Sequence, residues 1–184
     1  MVAEFGLNLS WEKERPFISL SKNRFRPEYI LKLKHMKMNE FIDILFVEDS
    51  ELDAELTLMA LREENLANNV IWLKDGAQAL DFIFAEGEYA HRNMETQPKL
   101  ILLDLKMPKV GGIEVVERIR GDERTKSIPI VIMTSSKEEK DVLDTYKLGI
   151  NSYIVKPVDF DKFSKSVKEI GFYWLLMNQS PQQG

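Results

Sequence analysis

The chain contains no cysteine and only two histidines, His35 and His91. The lack of cysteine excludes disulfide bonds, thiol nucleophiles and zinc sites built on thiolates. Two widely separated histidines disfavour a histidine metal site or a Ser-His-Asp triad, and we expect both to be exposed residues. The sequence also lacks a long apolar run of the kind that spans a membrane or forms a signal peptide. These absences favour a cytoplasmic protein that does not contact membranes.

Charge is distributed unevenly along the 184 residues, whose formal net charge is −5. Residues 1–38 hold eight Lys or Arg and four Asp or Glu, so the acidic excess lies in the rest of the chain. An acidic body argues against nucleic-acid binding. Pro16 and Pro27 interrupt residues 1–38, which show no sustained period. We expect a basic N-terminal extension there that is disordered or foreign to the native protein.

Short apolar runs alternate with amphipathic stretches from about Phe41 onward. The predicted strands are Phe41–Val47, Val70–Leu73, Leu100–Leu103, Ile128–Met133 and Ser152–Val155. The predicted helices are Glu51–Glu63, one that opens at Asp75-Gly76, Gly112–Arg120, Glu138–Leu148 and Phe160–Met177. Alternation of this kind forces parallel pairing through right-handed crossovers. The expected fold is α/β, a doubly wound five-stranded parallel sheet in the order 2-1-3-4-5.

The folded domain is expected to cover residues 39–177 and to be followed by a short tail, 178–184, with no DNA-binding output domain. Helical spacing predicts that the first helix buries Leu52, Leu56, Met59 and Ala60. The same spacing predicts that the last helix buries Phe160, Phe163, Val167 and Ile170, with Gly171 as a weak point. The polar stretch Ala85–Pro98 is predicted to be a loop.

Leu100–Gly112 is the stretch around which the chemistry of the chain is arranged. Four apolar residues run directly into Asp104 and then into a turn rich in Pro and Gly. A short apolar run bounded by turn residues is typical of a strand buried on both faces. Such a strand places Asp104 at the carboxyl edge of the sheet, where open α/β sheets bind their ligands.

Other polar side chains follow neighbouring strands at the same predicted edge. They are Glu48 and Asp49 after the first strand, Thr134 and Ser135 after the fourth, and Lys156 after the fifth. Three carboxylates repel one another unless a cation neutralises them, and a site of oxygen ligands with room for water suits Mg²⁺. A carboxylate beside Mg²⁺ can attack a phosphoryl group in line, with the metal and a lysine stabilising the transferred oxygens. Each residue alone has an ordinary structural explanation, but their joint arrival favours a phosphoryl site.

Four motifs resemble the receiver domain of two-component response regulators. They are VEDS at Val47–Ser50, LLDLKMPKVGG at Leu102–Gly112, IVIMTSS at Ile130–Ser136 and YIVKPVD at Tyr153–Asp159. The resemblance covers about residues 41–176 and implies the flavodoxin-like receiver fold. It implies that Asp104 is the phosphoacceptor and that Lys156 pairs with the phosphoryl group. It also implies a Mg²⁺ site formed by Glu48, Asp49, Asp104 and the backbone carbonyl of Lys106.

The resemblance further implies a switch pair, Thr134 and Tyr153, in which the hydroxyl moves toward the phosphate while the ring turns inward. It implies a cis peptide bond between Lys156 and Pro157. Lys106 lies two residues after the acceptor, and our hypothesis is that its side chain slows hydrolysis by lying over the phosphoryl group.

Three stretches narrow the resemblance. The chain is similar to the stand-alone response regulators that partner phytochrome histidine kinases in FAEGEYAHRN, which begins at Phe84, in Lys156-Pro157-Val158-Asp159 followed by Phe160, and in the closing Phe172-Tyr173-Trp174-Leu175. We therefore expect a single-domain response regulator that accepts phosphate from a histidine kinase of the phytochrome type. Its only catalysis would be self-phosphorylation and slow autodephosphorylation, so it is not expected to be an enzyme.

Two other functions remain open from the residues alone. A phosphohydrolase with an aspartyl nucleophile fits the fold, but haloacid-type phosphatases need a second Asp two residues after the nucleophile, where this chain has Lys106. A flavodoxin-like cofactor carrier needs a phosphate-binding loop after the first strand. Glu48 and Asp49 occupy that position and repel a phosphate unless a metal is present.

The end of the last helix is predicted to face a partner. Phe172, Tyr173, Trp174, Leu175 and Leu176 are consecutive, so they cover every side of a helix and cannot all be buried against one domain. Clustered aromatic residues are typical of interface cores. We predict a homodimer formed through the fourth helix, the fifth strand and the fifth helix.

Overall fold

The computed structural model describes residues 42–63, 66, 69–135 and 137–178. Its centre is a five-stranded parallel sheet in the order β2-β1-β3-β4-β5, which confirms the predicted fold. The strands are β1 Ile44–Val47, β2 Val70–Leu73, β3 Leu100–Leu103, β4 Ile130–Thr134 and β5 Ser152–Val155. The helices are α1 Glu51–Glu63, α2 Gly76–Ile83, α3 Gly112–Arg120, α4 Glu139–Lys147 and α5 Phe160–Phe172. The predicted extension, residues 1–38, and residues 179–184 of the predicted tail lie outside the described residues.

The three central strands are buried along their whole length, and the two edge strands are mostly half-buried. This burial reflects helices on both faces of a parallel sheet. β1 and β4 each begin later than predicted, because an apolar run reports burial and not strand pairing. Ile128 is buried although it precedes β4, and the intervening Pro129 has no N–H for the ladder.

Two apolar cores lie on opposite faces of the sheet. The first packs β-strand residues such as Leu103 and Ile132 against α2 and α3. The second packs residues such as Phe46 and Leu102 against α1 and α5. Because side chains alternate along a strand, successive residues of β1 and β3 contribute to different cores.

The predicted buried face of α1 is wrong in part. Leu52 is 66% exposed and Met59 is 49% exposed, whereas the buried residues of this helix are Ala54, Thr57, Ala60 and Leu61. Small side chains on that face let α1 pack closely against the sheet and against α5. The Thr57 hydroxyl donates a hydrogen bond to the Asp53 carbonyl over 2.8 Å, so its burial leaves no unpaired donor.

The last helix differs from the prediction at both ends. Phe160 is 41% exposed at its first position, while Phe163 and Val167 are buried as predicted. The α-helix ends at Phe172, and Tyr173–Met177 forms a π-helical turn. Gly171 is a close packing site, because a Cβ there would lie 2.8 Å from a side-chain carbon of Leu66.

The loop Ala85–Pro98 is anchored to the end of α2. The buried guanidinium of Arg92 donates to the Phe82 carbonyl and lies 3.5 Å from the centroid of the Phe82 ring. The Gln97 amide donates to the Ile83 carbonyl over 3.0 Å. These side chains satisfy carbonyls that the last turn of a helix leaves without helical partners. The loop is therefore held against the end of α2 by side-chain hydrogen bonds.

The expected cis peptide bond before Pro157 is not found, since none of the described peptide bonds is cis. The trans form of a bond before proline is favoured by only about 0.5–1 kcal/mol, so the surroundings decide which isomer is adopted and a motif alone cannot fix it. Within the described ranges, no helix combines the length and the apolar character that crossing a bilayer requires.

Candidate functional site

The carboxylates that follow β1 and β3 lie together because these two strands end in register. Val47 pairs with Leu103, and the Asp104 amide donates to the Val47 carbonyl over 3.0 Å. Glu48 and Asp104 therefore leave neighbouring strands at the same level, with Asp49 one residue further. One carboxylate oxygen from each of Glu48, Asp49 and Asp104 lies within 4.8 Å of the others. The structure thus assembles the predicted group of three carboxylates.

The surroundings of these carboxylates fit a divalent cation. Asp104 is buried, and its Oδ2 accepts from the Lys106 amide over 3.3 Å. Its Oδ1 is also buried and has no hydrogen-bond partner among the described residues. A buried carboxylate oxygen without a partner is costly, and a hard cation such as Mg²⁺ or Mn²⁺ accepts such ligands. The exposed Asp49 leaves the cluster open to water.

Burial raises the pKa of Glu48 from its ordinary 4.5 to about 7, against the lowering effect of its hydrogen bond and charge interaction with Lys156. Asp104, as a nearby negative charge, also raises this pKa. Burial therefore disfavours the ionised form of Glu48 when no cation is bound. A bound cation stabilises its ionised form.

Lys156 directly follows the edge strand β5, and its side chain extends to the carboxylates. Its amide donates to the Thr134 carbonyl over 2.8 Å, which ties the end of β5 to β4. Its Nζ lies 2.5 Å from Glu48 Oε2, 2.8 Å from Asp53 Oδ2 and 3.9 Å from Asp104 Oδ1. The lysine side chain is only 10% exposed, so these charges interact with little screening by water.

Thr134 and Tyr153 occupy neighbouring strands on one face of the sheet. Thr134 pairs with Val155, and Tyr153 pairs with Ile132. Because side chains alternate, Thr134 and Tyr153 are diagonal neighbours on the same face. Thr134 is fully buried, and the Tyr153 ring is half-buried against the first core. Their role as a switch pair stays a prediction.

Lys106 is placed beside the acceptor through its backbone. Its side chain is more than half exposed, and its Nζ lies 3.4 Å from Glu138 Oε1. The predicted effect of this side chain on hydrolysis, and the predicted use of its carbonyl as a metal ligand, both stay predictions.

The second glycine of the acceptor stretch, Gly112, is required by the close approach of the backbone. A Cβ at this position would lie 2.3 Å from the Asp104 carbonyl oxygen, so any other residue would push the start of α3 away. The Gly112 amide donates to the Leu105 carbonyl over 3.0 Å. The glycine therefore allows the turn after β3 to close tightly behind the acceptor.

Two residues of the site were not singled out from the sequence. Asp53 contacts Lys156 from the first turn of α1, and the Trp72 indole N–H donates to the Glu48 carbonyl over 2.9 Å. The available signal for Asp53 was its position four residues after Asp49, on the helix that leaves the acidic pair. For Trp72, it was a place near the end of the neighbouring strand β2.

The structure divides the residues predicted to form an interface. Phe172 is 53% exposed and Tyr173 is 54% exposed. Trp174 and Leu175 are half-buried and pack against the second core of their own domain. Leu176 is 63% exposed. The dimer itself stays a prediction, and Phe172, Tyr173 and Leu176 are the members of the set available to a partner.

Comparison with known proteins identifies the family. Residues 44–168 match the response regulator receiver domain. The chain is 38% identical over 138 residues to a probable methanogenesis regulatory protein, FilR2 of Methanothrix harundinacea, covering 75% of this chain and 86% of the relative. It is 38% identical over 132 residues to response regulator Rcp1 of Synechocystis, covering 72% of this chain and 88% of the relative.

Solved structures agree with this match. The Mn²⁺-bound form of Rcp1 has a TM-score of 0.70 at 36% identity and covers 76% of this chain and 99% of its own. The phosphorylated cyanobacterial phytochrome response regulator RcpA has a TM-score of 0.71 at 35% identity and covers 78% of this chain and 100% of its own. The chain belongs to the response regulator receiver domain family and is related to phytochrome response regulators.

Proposed function

We propose that this protein is a cytoplasmic signalling switch that accepts a phosphoryl group on Asp104. The observation that carries the proposal is the buried Asp104 Oδ1, which has no hydrogen-bond partner among the described residues and belongs to a cluster of three carboxylates. An oxygen without a hydrogen-bond partner has no donor to displace when it bonds to a cation or to a phosphoryl group that enters the cluster. The Lys156 ammonium group lies 3.9 Å from this oxygen.

In the proposed reaction, the phosphoryl donor is a phosphorylated histidine of a kinase. An Asp104 oxygen forms a bond to phosphorus as the bond between phosphorus and the imidazole nitrogen of that histidine breaks. The imidazole leaves with the bonding electron pair and takes up a proton from water. The Lys106 amide, which donates to Asp104 Oδ2 over 3.3 Å, holds the carboxylate in one orientation. The buried Thr134 hydroxyl, at the end of β4, is the group proposed to respond to the new phosphoryl oxygens.

Glu48, Asp49, Asp104 and the Lys106 carbonyl are the groups proposed to hold Mg²⁺. When bound, the ion neutralises the negative charge that collects where a carboxylate and a phosphoryl group meet. Glu48 also orients the loop that carries Asp49, because its Oε1 accepts from the Ser50 amide over 3.1 Å.

We propose a histidine kinase of the phytochrome type as the phosphoryl donor. The support is the relation to RcpA, which is a phytochrome response regulator. Transfer from a phosphorylated phytochrome-type kinase to the wild-type protein is expected to be at least about tenfold faster than transfer from a histidine kinase without a phytochrome sensor, since docking contacts orient the two reacting groups. Equal rates from both kinases would contradict the choice of kinase while leaving the acceptor assignment intact.

The proposed signal is a protein contact made by α4, β5 and α5, which we infer also form a homodimer. β5 is an edge strand. Four large apolar residues in or directly after the two helices are at least half exposed. They are Leu143 and Tyr146 in α4, Phe172 at the end of α5, and Tyr173 in the π-helical turn that follows. Exposed apolar groups of this size commonly mark contact surfaces.

Replacing Phe172 and Tyr173 together with serine is expected to weaken dimerisation by about tenfold or more, because aromatic anchors carry much of the binding energy of an interface. Light scattering over a range of protein concentrations measures the mass in solution. The matched control is Leu52→Ser, which removes an exposed apolar side chain from α1. A dimer that persists unchanged in the double variant would exclude this surface.

A further inference from the structure

Lys156 contacts a carboxylate outside the predicted phosphoryl site more closely than it contacts the acceptor. Its Nζ lies 2.8 Å from Asp53 Oδ2 but 3.9 Å from Asp104 Oδ1. The second close partner is Glu48, at 2.5 Å. The ammonium is therefore held between α1 and the end of β1, beyond hydrogen-bond distance of the acceptor oxygen.

Asp53 is fixed in place by the start of α1. Its amide donates to the Ser50 hydroxyl over 3.3 Å, and its carbonyl accepts from the Thr57 hydroxyl over 2.8 Å. A carboxylate in the first turn is favoured by the helix dipole wherever it points. The dipole therefore accounts for an acidic residue at this position. It does not account for the contact between this carboxylate and Lys156, which follows the edge strand β5.

The electrostatics of Lys156 agree with this geometry. Burial lowers the pKa of the Lys156 ammonium, but hydrogen bonds to Asp53 and Glu48 and the charges of Asp104 and Glu48 outweigh it, so the pKa is raised overall. The Asp53 side chain is about one-third exposed, so the pair is partly screened and can be broken without leaving a carboxylate in a dry interior.

We propose that Asp53 is a positioning residue that retains Lys156 on the α1 side in the unphosphorylated protein and competes with a phosphoryl group for it. This inference rests on the proposed function of Asp104. A phosphoryl group on Asp104 carries negative charge on three oxygens and draws Lys156 away from Asp53. The strength of the Asp53–Lys156 pair thus sets how favourably the phosphorylated state forms.

The test uses beryllofluoride, a small anion that binds a carboxylate oxygen as a phosphoryl group does. Calorimetric titration in the presence of Mg²⁺ measures its dissociation constant for the wild-type protein and for Asp53→Asn. The variant is expected to bind about threefold to tenfold more tightly, because Lys156 no longer leaves a charged partner. Asp53→Glu restores a carboxylate within reach of Lys156 and is expected to return the affinity toward that of the wild type.

Glu55→Gln is the matched control, since it removes one negative charge from an exposed position on the same helix. It is expected to bind beryllofluoride as the wild type does. Unchanged or weaker binding by Asp53→Asn, or an equal gain in Glu55→Gln, would overturn the role of Asp53. Failure of the wild-type protein to bind beryllofluoride would instead overturn the proposed function of Asp104.

Discussion

Replacing Lys156 with alanine is expected to lower the free energy of unfolding of the metal-free protein by about 3 kcal/mol at neutral pH. The substitution removes the ammonium that lies 2.5 Å from Glu48 and 2.8 Å from Asp53. Glu48 and Asp104 are both buried, so their repulsion is no longer offset by a positive charge. Denaturant unfolding in a chelating buffer, followed by circular dichroism, measures the loss.

The loss is expected to be larger at about pH 8 than at about pH 5. Burial raises the pKa of Glu48 from 4.5 to about 7. The folded state therefore binds a proton at Glu48 more tightly than the unfolded chain does. The stabilisation that this proton gives is complete below about pH 4.5 and is lost as the pH rises through about 7. Without Lys156, the ionised Glu48 has lost its closest cation, so the variant suffers most where Glu48 is ionised.

Mg²⁺ is expected to restore more stability to Lys156→Ala than to the wild-type protein, because a second cation can neutralise the same carboxylates. The matched control is Lys74→Ala, which breaks an ion pair with Glu51 at 2.7 Å in which both side chains are mostly exposed. That variant is expected to show little change. Equal losses in the two variants, or no loss in Lys156→Ala, would contradict the view that Lys156 balances the charge of the site.

The main features of the site follow from the sequence because parallel strands end at one edge. Short apolar runs that lead directly into Glu48 and Asp104 indicate both the strands and the residues at their ends. The register of Val47 with Leu103 then brings the two carboxylates together. This inference needs no side-chain packing, which is why it succeeds for the sheet order and for the placement of the acidic cluster.

The residues that were misplaced or missed depend on how close two elements approach. The buried face of α1 contains Ala54 and Ala60 in place of Leu52 and Met59, because small side chains allow close packing against α5. Hydrophobicity counts alone favour the larger residues. Asp53 becomes part of the site only because Lys156 reaches across from β5, and this contact joins residues about 100 positions apart.

Asparagine at position 104 is expected to abolish phosphorylation completely. The amide has nearly the shape of the carboxylate but no negatively charged oxygen to attack phosphorus. The substitution leaves the hydrogen bond from the backbone amide of residue 104 to the Val47 carbonyl untouched, so the fold is expected to persist. Removal of Mg²⁺ by a chelator is expected to slow the reaction of the wild-type protein by at least about tenfold, since the metal neutralises charge in the transition state.

Asp161→Asn is the control for this substitution, because it removes one exposed aspartate from the first turn of α5. It is expected to accept phosphate at the rate of the wild type. The comparison separates the loss of one particular carboxylate from the general effect of losing a negative charge.

The most direct measurement is the intact mass of each protein after incubation with Mg²⁺ and a small acyl phosphate. We expect one phosphoryl adduct on the wild type and on Asp161→Asn, and none on Asp104→Asn. The absence of an adduct on the wild type, or an equal adduct on Asp104→Asn, would contradict the assignment of Asp104 as the phosphoacceptor.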